Sequence, residues 1–190
     1  MFSKLANLVL FFRADPLYGV LYGVICLIGT LIFPEPAYKD SEKIIYFKGD
    51  QFMHELETKK HIHWIIEFYT TWSPECRHIT PVFSKLSERY TLPNLRFGKL
   101  DAGREPNFAE KFRINTHPSS RQLPTIAYFK EGEQVTRRPL IGSNKRAIPF
   151  VFSEENCILE FGLNNIYEEC KKNLGKRYKE TTDASKNKDE

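Results

Sequence analysis

The stretch IIEFYTTWSPEC, residues 65–76, decides how this chain is read. It opens as part of the run WIIEFYT, Trp64 to Thr70, which is rich in β-branched and aromatic residues and bounded by polar ones. That pattern is a strand buried on both faces. The strand carries a carboxylate, Glu67, inside an otherwise apolar run, and an internal charge is retained only where a partner meets it. It ends at Trp72, and Ser73-Pro74 then starts a helix, with serine a good N-cap and proline suited to the first turn. Cys76 falls in that first turn. Downstream, Ile79, Val82, Phe83, Leu86 and Tyr90 continue the stripe of Cys76 along one helix face, with Pro81 predicted to kink it.

Working outward, the periodicity alternates. KIIYF is a strand, and DQFMHELETKK a helix with Asp50 as the expected N-cap. LRFGKLDA is a strand, NFAEKFRI a short helix, and TIAYFKEGEQVTRRP a hairpin turning at Glu131-Gly132. Ser153 caps a last helical region whose first turn holds Glu154 and Glu155, as the helix dipole favours. The order βαβαβαββα predicts an α/β domain, a central mixed sheet flanked by helices.

The chain has 190 residues, enough for one domain of this type plus appendages. At 41% hydrophobic and 27% charged residues it is a folding sequence, not a disordered one. A net charge of +4 is too small, and its basic residues too spread, to indicate nucleic acid. Cys26, Cys76, Cys157 and Cys170 are too widely spaced for a disulfide scaffold or a zinc site, so no metal and no cofactor is expected.

One segment departs from this pattern. LYGVLYGVICLIGTLIF, Leu17 to Phe33, is uncharged and bracketed by Pro16 and Pro34. At ~1.5 Å per residue it reaches roughly 25 Å, near the lower limit for a ~30 Å hydrocarbon core. No small-x-small cleavage site follows it, and it is apolar all round, so it reads as a retained membrane helix rather than a signal peptide or core helix. Gly19 and Gly23 form a small-xxx-small pair. The expected organisation is a membrane segment over 1–33, a polar linker over 34–43, the α/β domain over 44–175 and a basic, disordered tail over 176–190. Leu5 to Phe12 is too short to span alone and reads as an interfacial segment or the remnant of a hairpin.

The central stretch resembles the thioredoxin pattern of strand, buried acid, aromatic residue and W-C-x-x-C, and FFRADP, RQLPT, RRPLI and FSEEN extend the likeness almost to the whole chain. They make it similar to the thioredoxin-related transmembrane protein 2 family. The resemblance implies a thioredoxin-like fold in which Ser73 stands where the nucleophilic cysteine would be and Cys76 is the resolving cysteine. It implies that Lys99, in FGKLD, partners Glu67, and that Leu123-Pro124 forms a cis-proline turn facing Trp72. Leu123 would then offer its backbone to an extended peptide. The loop NTHPSSRQ before it is longer than usual, which predicts a covered or reshaped groove.

Serine has no thiolate to attack a disulfide, so a dithiol cycle within this motif is chemically excluded. Glu67 is either a proton acceptor for Cys76 or a paired internal charge. Three functions stay open: a regulatory or partner-binding protein in redox and protein-folding control, a weak monothiol oxidoreductase or isomerase using Cys76, and a membrane adaptor. Expected partners are the lipid bilayer and polypeptides at the Pro124 groove, with a homodimer through Cys76 or Cys170 as an alternative. Lys186 and Lys188, fifth and third from the end, resemble a dilysine retrieval signal of the endoplasmic reticulum membrane. With a single span, that signal places the domain in the cytosol, and the family resemblance adds mitochondrial contacts.

Overall fold

The computed structural model describes residues 2–33, 38–144 and 146–186, in two compact units divided after Tyr38. In the first unit α1 (Phe2–Ala14) and α2 (Pro16–Ile32) form a helical hairpin. Asp15 caps α2 by accepting a hydrogen bond from the Leu17 amide at 2.9 Å, and Pro16 opens the helix. The glycines predicted as a contact pair receive α1: a Cβ at Gly19 would stand 2.5 Å from the Phe12 ring, and one at Gly23 3.4 Å from Leu8.

The expected membrane-crossing helix is corrected by this unit. Among the described residues no helix is long and apolar enough to cross a membrane. At 17 residues, about 25 Å at ~1.5 Å each, α2 has the length the sequence suggested, and that length falls short of a ~30 Å hydrocarbon core. The hairpin nevertheless exposes a large apolar surface, including Leu10, Leu17, Val20, Leu27 and Leu31.

The second unit holds a five-stranded sheet in the order β1-β3-β2-β4-β5. Its strands are β1 (Ile44–Phe47), β2 (His63–Tyr69), β3 (Leu95–Asp101), β4 (Thr125–Lys130) and β5 (Glu133–Arg138). β1, β3 and β2 run parallel, joined through α3 (Gly49–Thr58) and α4 (Pro74–Tyr90). β4 and β5 are antiparallel, and β4 follows the short α5 (Pro106–Lys111). The predicted alternation of strands and helices is therefore the one observed. The hairpin turns where expected, with Glu131 at φ 56° and Gly132 at φ 88°, the pair of positive angles a two-residue turn needs.

β2 is the central strand, and its side chains alternate between two cores. Trp64, Ile66 and Phe68 join Phe52, Leu56 and Ala109 on the face covered by α3 and α5. Ile65 joins Ile79, Phe83 and Leu86 on the other face, covered by α4, α6 (Glu154–Phe161) and α7 (Leu163–Lys186). By the same period of two, Glu67 points to the α4 face, towards Cys76.

Several local expectations are revised. Lys48, not Asp50, occupies the N-cap of α3, and its amide donates to Gln51 Oε1 at 3.4 Å. Asp50 sits one step later, in the first turn, where its charge still suits the dipole. Gly162, in the left-handed region at φ 61°, divides the last helical region into α6 and α7. The tail predicted to lose order near residue 176 instead continues α7 to Lys186, because straight-chain Lys, Arg and Glu favour helix once a packed segment has nucleated it. Lys188 and the linker residues 34–37 lie outside the described residues, as does the side chain of Lys186.

Candidate functional site

Ser73 occupies the N-cap of α4, as the sequence suggests, but its side chain does not cap the helix. Its hydroxyl donates to Glu75 Oε2 at 2.9 Å. The ionised Glu75 side chain makes that a charge-assisted bond, and the Ser73 oxygen receives no backbone amide. Ser73 is only 2% exposed and Cys76 3%, whereas Trp72 between groove and solvent is half exposed. The position of an attacking atom is thus closed off, and the sulfur behind it is more buried than reactive thiols are.

Cys76 faces Ser73, Thr70 and Glu67. Burial pushes its thiol above the ordinary value, the Thr70 and Ser73 hydrogen bonds offset part of that, and the Glu67 charge adds to it. Cys157 and Cys170, both fully buried and free, are pushed up by burial to about 12 and about 11. These are inert thiols packed as small hydrophobes.

Beneath Cys76 lies a charge cluster that the sequence only half foretells. Glu67 and Lys99 are direct neighbours in the parallel β2–β3 register, and Lys99 Nζ lies 3.2 Å from Glu67 Oε2. Both side chains are buried, at 0% and 4% exposure. The third member is Asp40, from the stretch expected to be linker. Lys99 donates to Asp40 Oδ1 at 3.1 Å, the Ser84 hydroxyl donates to the same oxygen at 3.1 Å, and the Tyr46 hydroxyl donates to Oδ2. The ring faces of Tyr69 and Phe83 complete the enclosure of the ammonium. No local signal singled out Asp40, because Ser84 and Lys99, which bring it to the site, are 44 and 59 residues away in sequence.

Burial raises the Glu67 carboxyl to about 7, against the opposing pull of Lys99 and with a further push from Asp40. An acid with a higher pKa folded than unfolded binds more protons when folded. Its contribution to stability is therefore full below about pH 4.5 and falls as pH rises towards about 7. Burial lowers the His63 imidazole, which gives the opposite slope in the same range. Comparing the unmodified protein with Glu67→Gln isolates the acid. Urea unfolding between pH 4.5 and 7.5 should show the variant lacking a decline on the order of 3 kcal/mol.

Above Ser73 runs a groove of about 820 Å³. Its floor includes Trp72, Leu123 and Pro124, and the Leu123–Pro124 peptide bond is cis. One wall is the long loop before Leu123, tied by Asn115 N donating to Gln122 Oε1 at 2.8 Å and by a 3₁₀ turn at Pro118–Ser120. The other wall, the segment from Pro139 to Phe152, was not foreseen, although Pro139, Gly142 and Pro149 punctuate it as a folded loop. The two walls meet where the Ala147 amide donates to Ser120 O at 2.9 Å. The long loop thus supplies an acceptor that holds the second loop in place. Arg121, Arg146, His78 and His117 line it, and Glu75 is the one acid among the described lining residues. Among the described residues no group of side chains is arranged to hold a metal ion.

The family model described as thioredoxin matches residues 43–148. The thioredoxin-related transmembrane protein 2 homolog of Caenorhabditis elegans is 53% identical over 179 residues, covering 94% of this chain and 68% of that protein. The chain belongs to the thioredoxin-related transmembrane protein 2 family. Thioredoxin-related transmembrane protein 2-A of Danio rerio is 41% identical, covering 90% of this chain and 57% of its own length. The Xenopus tropicalis member is 40% identical, covering 90% of this chain and 60% of its own length. The chain thus spans 57% to 68% of these relatives. Members of this family carry a transmembrane designation, which the short α1–α2 hairpin does not by itself account for. A thioredoxin from Nicotiana alata superposes at a TM-score of 0.50 and 20% identity, covering 68% of this chain and 97% of its own, a likeness of fold alone.

Proposed function

We propose that this protein is a membrane-associated, thioredoxin-like binding protein that captures extended polypeptides beside Pro124 without dithiol turnover. One observation carries the reading. The groove is intact and walled, while the atom at the attacking position is the buried hydroxyl of Ser73. Binding and electron transfer, which a dithiol enzyme joins at one point, are separated here. The monothiol alternative is less well supported, since Cys76 is buried and its thiol is held in the protonated form.

The apolar outer faces of α1 and α2 supply the membrane attachment. The family resemblance favours the endoplasmic reticulum, with the domain in the cytosol and access to mitochondrial contacts. The unpaired state of Cys76, Cys157 and Cys170 agrees with a reducing compartment. The role that follows is regulatory, within redox and protein-folding control, exercised by holding partners.

Arg121 and Arg146 make acidic segments the preferred ligands. In detergent-solubilised full-length protein, fluorescence anisotropy should show an acidic extended peptide binding roughly tenfold tighter than its basic counterpart. The double variant Arg121→Glu/Arg146→Glu should invert that order, and 0.5 M salt should compress it. Cys76→Ser should leave it unchanged. Equal affinity for both peptides, or capture that needs non-reducing conditions and disappears in Cys76→Ser, would reject the proposal.

A further inference from the structure

Lys99 sits between two carboxylates but treats them unequally. Its directed hydrogen bond goes to Asp40, with both Asp40 oxygens at 3.1 Å. Towards Glu67 it makes an ion contact at 3.2 Å without hydrogen-bond geometry, and both Glu67 oxygens are buried with no hydrogen-bond donor among the described residues. A wholly buried carboxylate in that state costs far more than the protonated acid. We propose that Asp40 is a positioning residue for Cys76: by drawing the Lys99 ammonium to itself, it leaves Glu67 as a protonated acid beneath the thiol.

The consequence reaches from the entry segment to the site. Asp40 lies two residues after the boundary between the two units, and its other contacts, Tyr46 and Ser84, belong to β1 and α4. Whatever withdraws Asp40 from this pocket returns the ammonium to Glu67. The carboxyl then ionises, a proton leaves the site, and a negative charge stands under Cys76. That charge opposes thiolate formation, so the entry segment governs both the proton content of the site and the reactivity of its one sulfur. The groups facing Glu67 are Lys99 from β3, Asp40 from the entry segment, Tyr46 from β1, Tyr69 from its own strand and Cys76 from α4. The two tyrosines are held neutral by burial, so Lys99 and Asp40 are the only charges in this set that compete for it. This inference is independent of what the groove binds.

The test is a carboxyl titration in the full-length protein, with Glu67 assigned by its loss in Glu67→Gln. Asp40→Asn keeps the shape and an acceptor oxygen but removes the charge. It should lower the Glu67 midpoint, leaving about tenfold less of the protonated acid near neutral pH, since one pH unit is a factor of ten. Alkylation of Cys76 at pH 6.5, where the unmodified protein still holds most of its Glu67 protonated, should slow in parallel. Ser84→Ala, which loosens the same pocket without changing charge, should leave the midpoint in place. A folded Asp40→Asn variant whose Glu67 midpoint is unchanged or raised would overturn the proposal, as would an equal fall in Ser84→Ala. Should Asp40→Asn fail to fold, Tyr46→Phe decides. It removes a donor from Asp40 and tightens its hold on Lys99, so the midpoint should rise, and no change or a fall would overturn the proposal.

Discussion

Ser73→Cys should turn a protein with no disulfide at this site into one that loses two thiols per molecule under mild oxidation. The introduced thiol would stand at the N-cap of α4, three residues before Cys76 and therefore on the same helical face. Both positions are buried, so closure is intramolecular and needs no approach by a large partner. The helix N-terminus would lower the new thiol below the ~8.5 of free cysteine. Glutathione buffers should place the couple within the ~−270 to −120 mV range of related dithiol proteins. Turnover on a bulky protein disulfide is a different matter. At 2% exposure the attacking position is shielded, so reduction of insulin should rise far less than the fraction of molecules oxidised by small reagents. Thiol counting after alkylation measures the first effect and insulin turbidity the second. A folded variant that keeps both thiols free in oxidising glutathione would contradict the geometry of this site.

The largest effect on stability should come from Lys99→Met. Lys99 is 4% exposed and, among the described residues, is the one cation paired with both Asp40 and Glu67. Its loss leaves two enclosed carboxyls with no counter-charge, and breaking a buried pair in this way costs about 3 to 5 kcal/mol. For a domain of this size that is a fall in Tm of roughly 10 to 20 °C. The deficit should narrow on acidification, because the Glu67 carboxyl then takes up a proton and its repulsion with Asp40 disappears. Adding Asp40→Asn should restore part of the lost stability, since it removes the charge that Lys99 no longer meets. Thermal unfolding at pH 7.5 and pH 5 measures all three. A deficit under about 1 kcal/mol at pH 7.5, typical of an exposed pair, would show that the cluster is open to water.

The sequence by itself determined the alternation of strands and helices, the burial of β2 on both faces and the placing of Ser73 at the start of the helix that carries Cys76. These are local facts. Period-two and period-3.6 patterns, turn residues such as Glu131-Gly132 and the spacing of Ser73 from Cys76 depend on neighbours within a few residues. Local pattern is a weaker guide at a threshold. Leu17 to Phe33 is apolar throughout, yet the helix it forms has 17 residues, just short of a span, and packs Gly19 against Phe12 of α1. Tertiary structure alone decided the rest. Asp40 looked like linker because its charge is ordinary in a polar stretch. It becomes part of the site only when β3 and α4 bring Lys99 and Ser84 to it. The second wall of the groove likewise exists only because Ala147 finds the Ser120 carbonyl across the fold. Burial, and with it the protonation of Glu67 and the shielding of Ser73, is a property of the assembled packing and is not carried by any one segment.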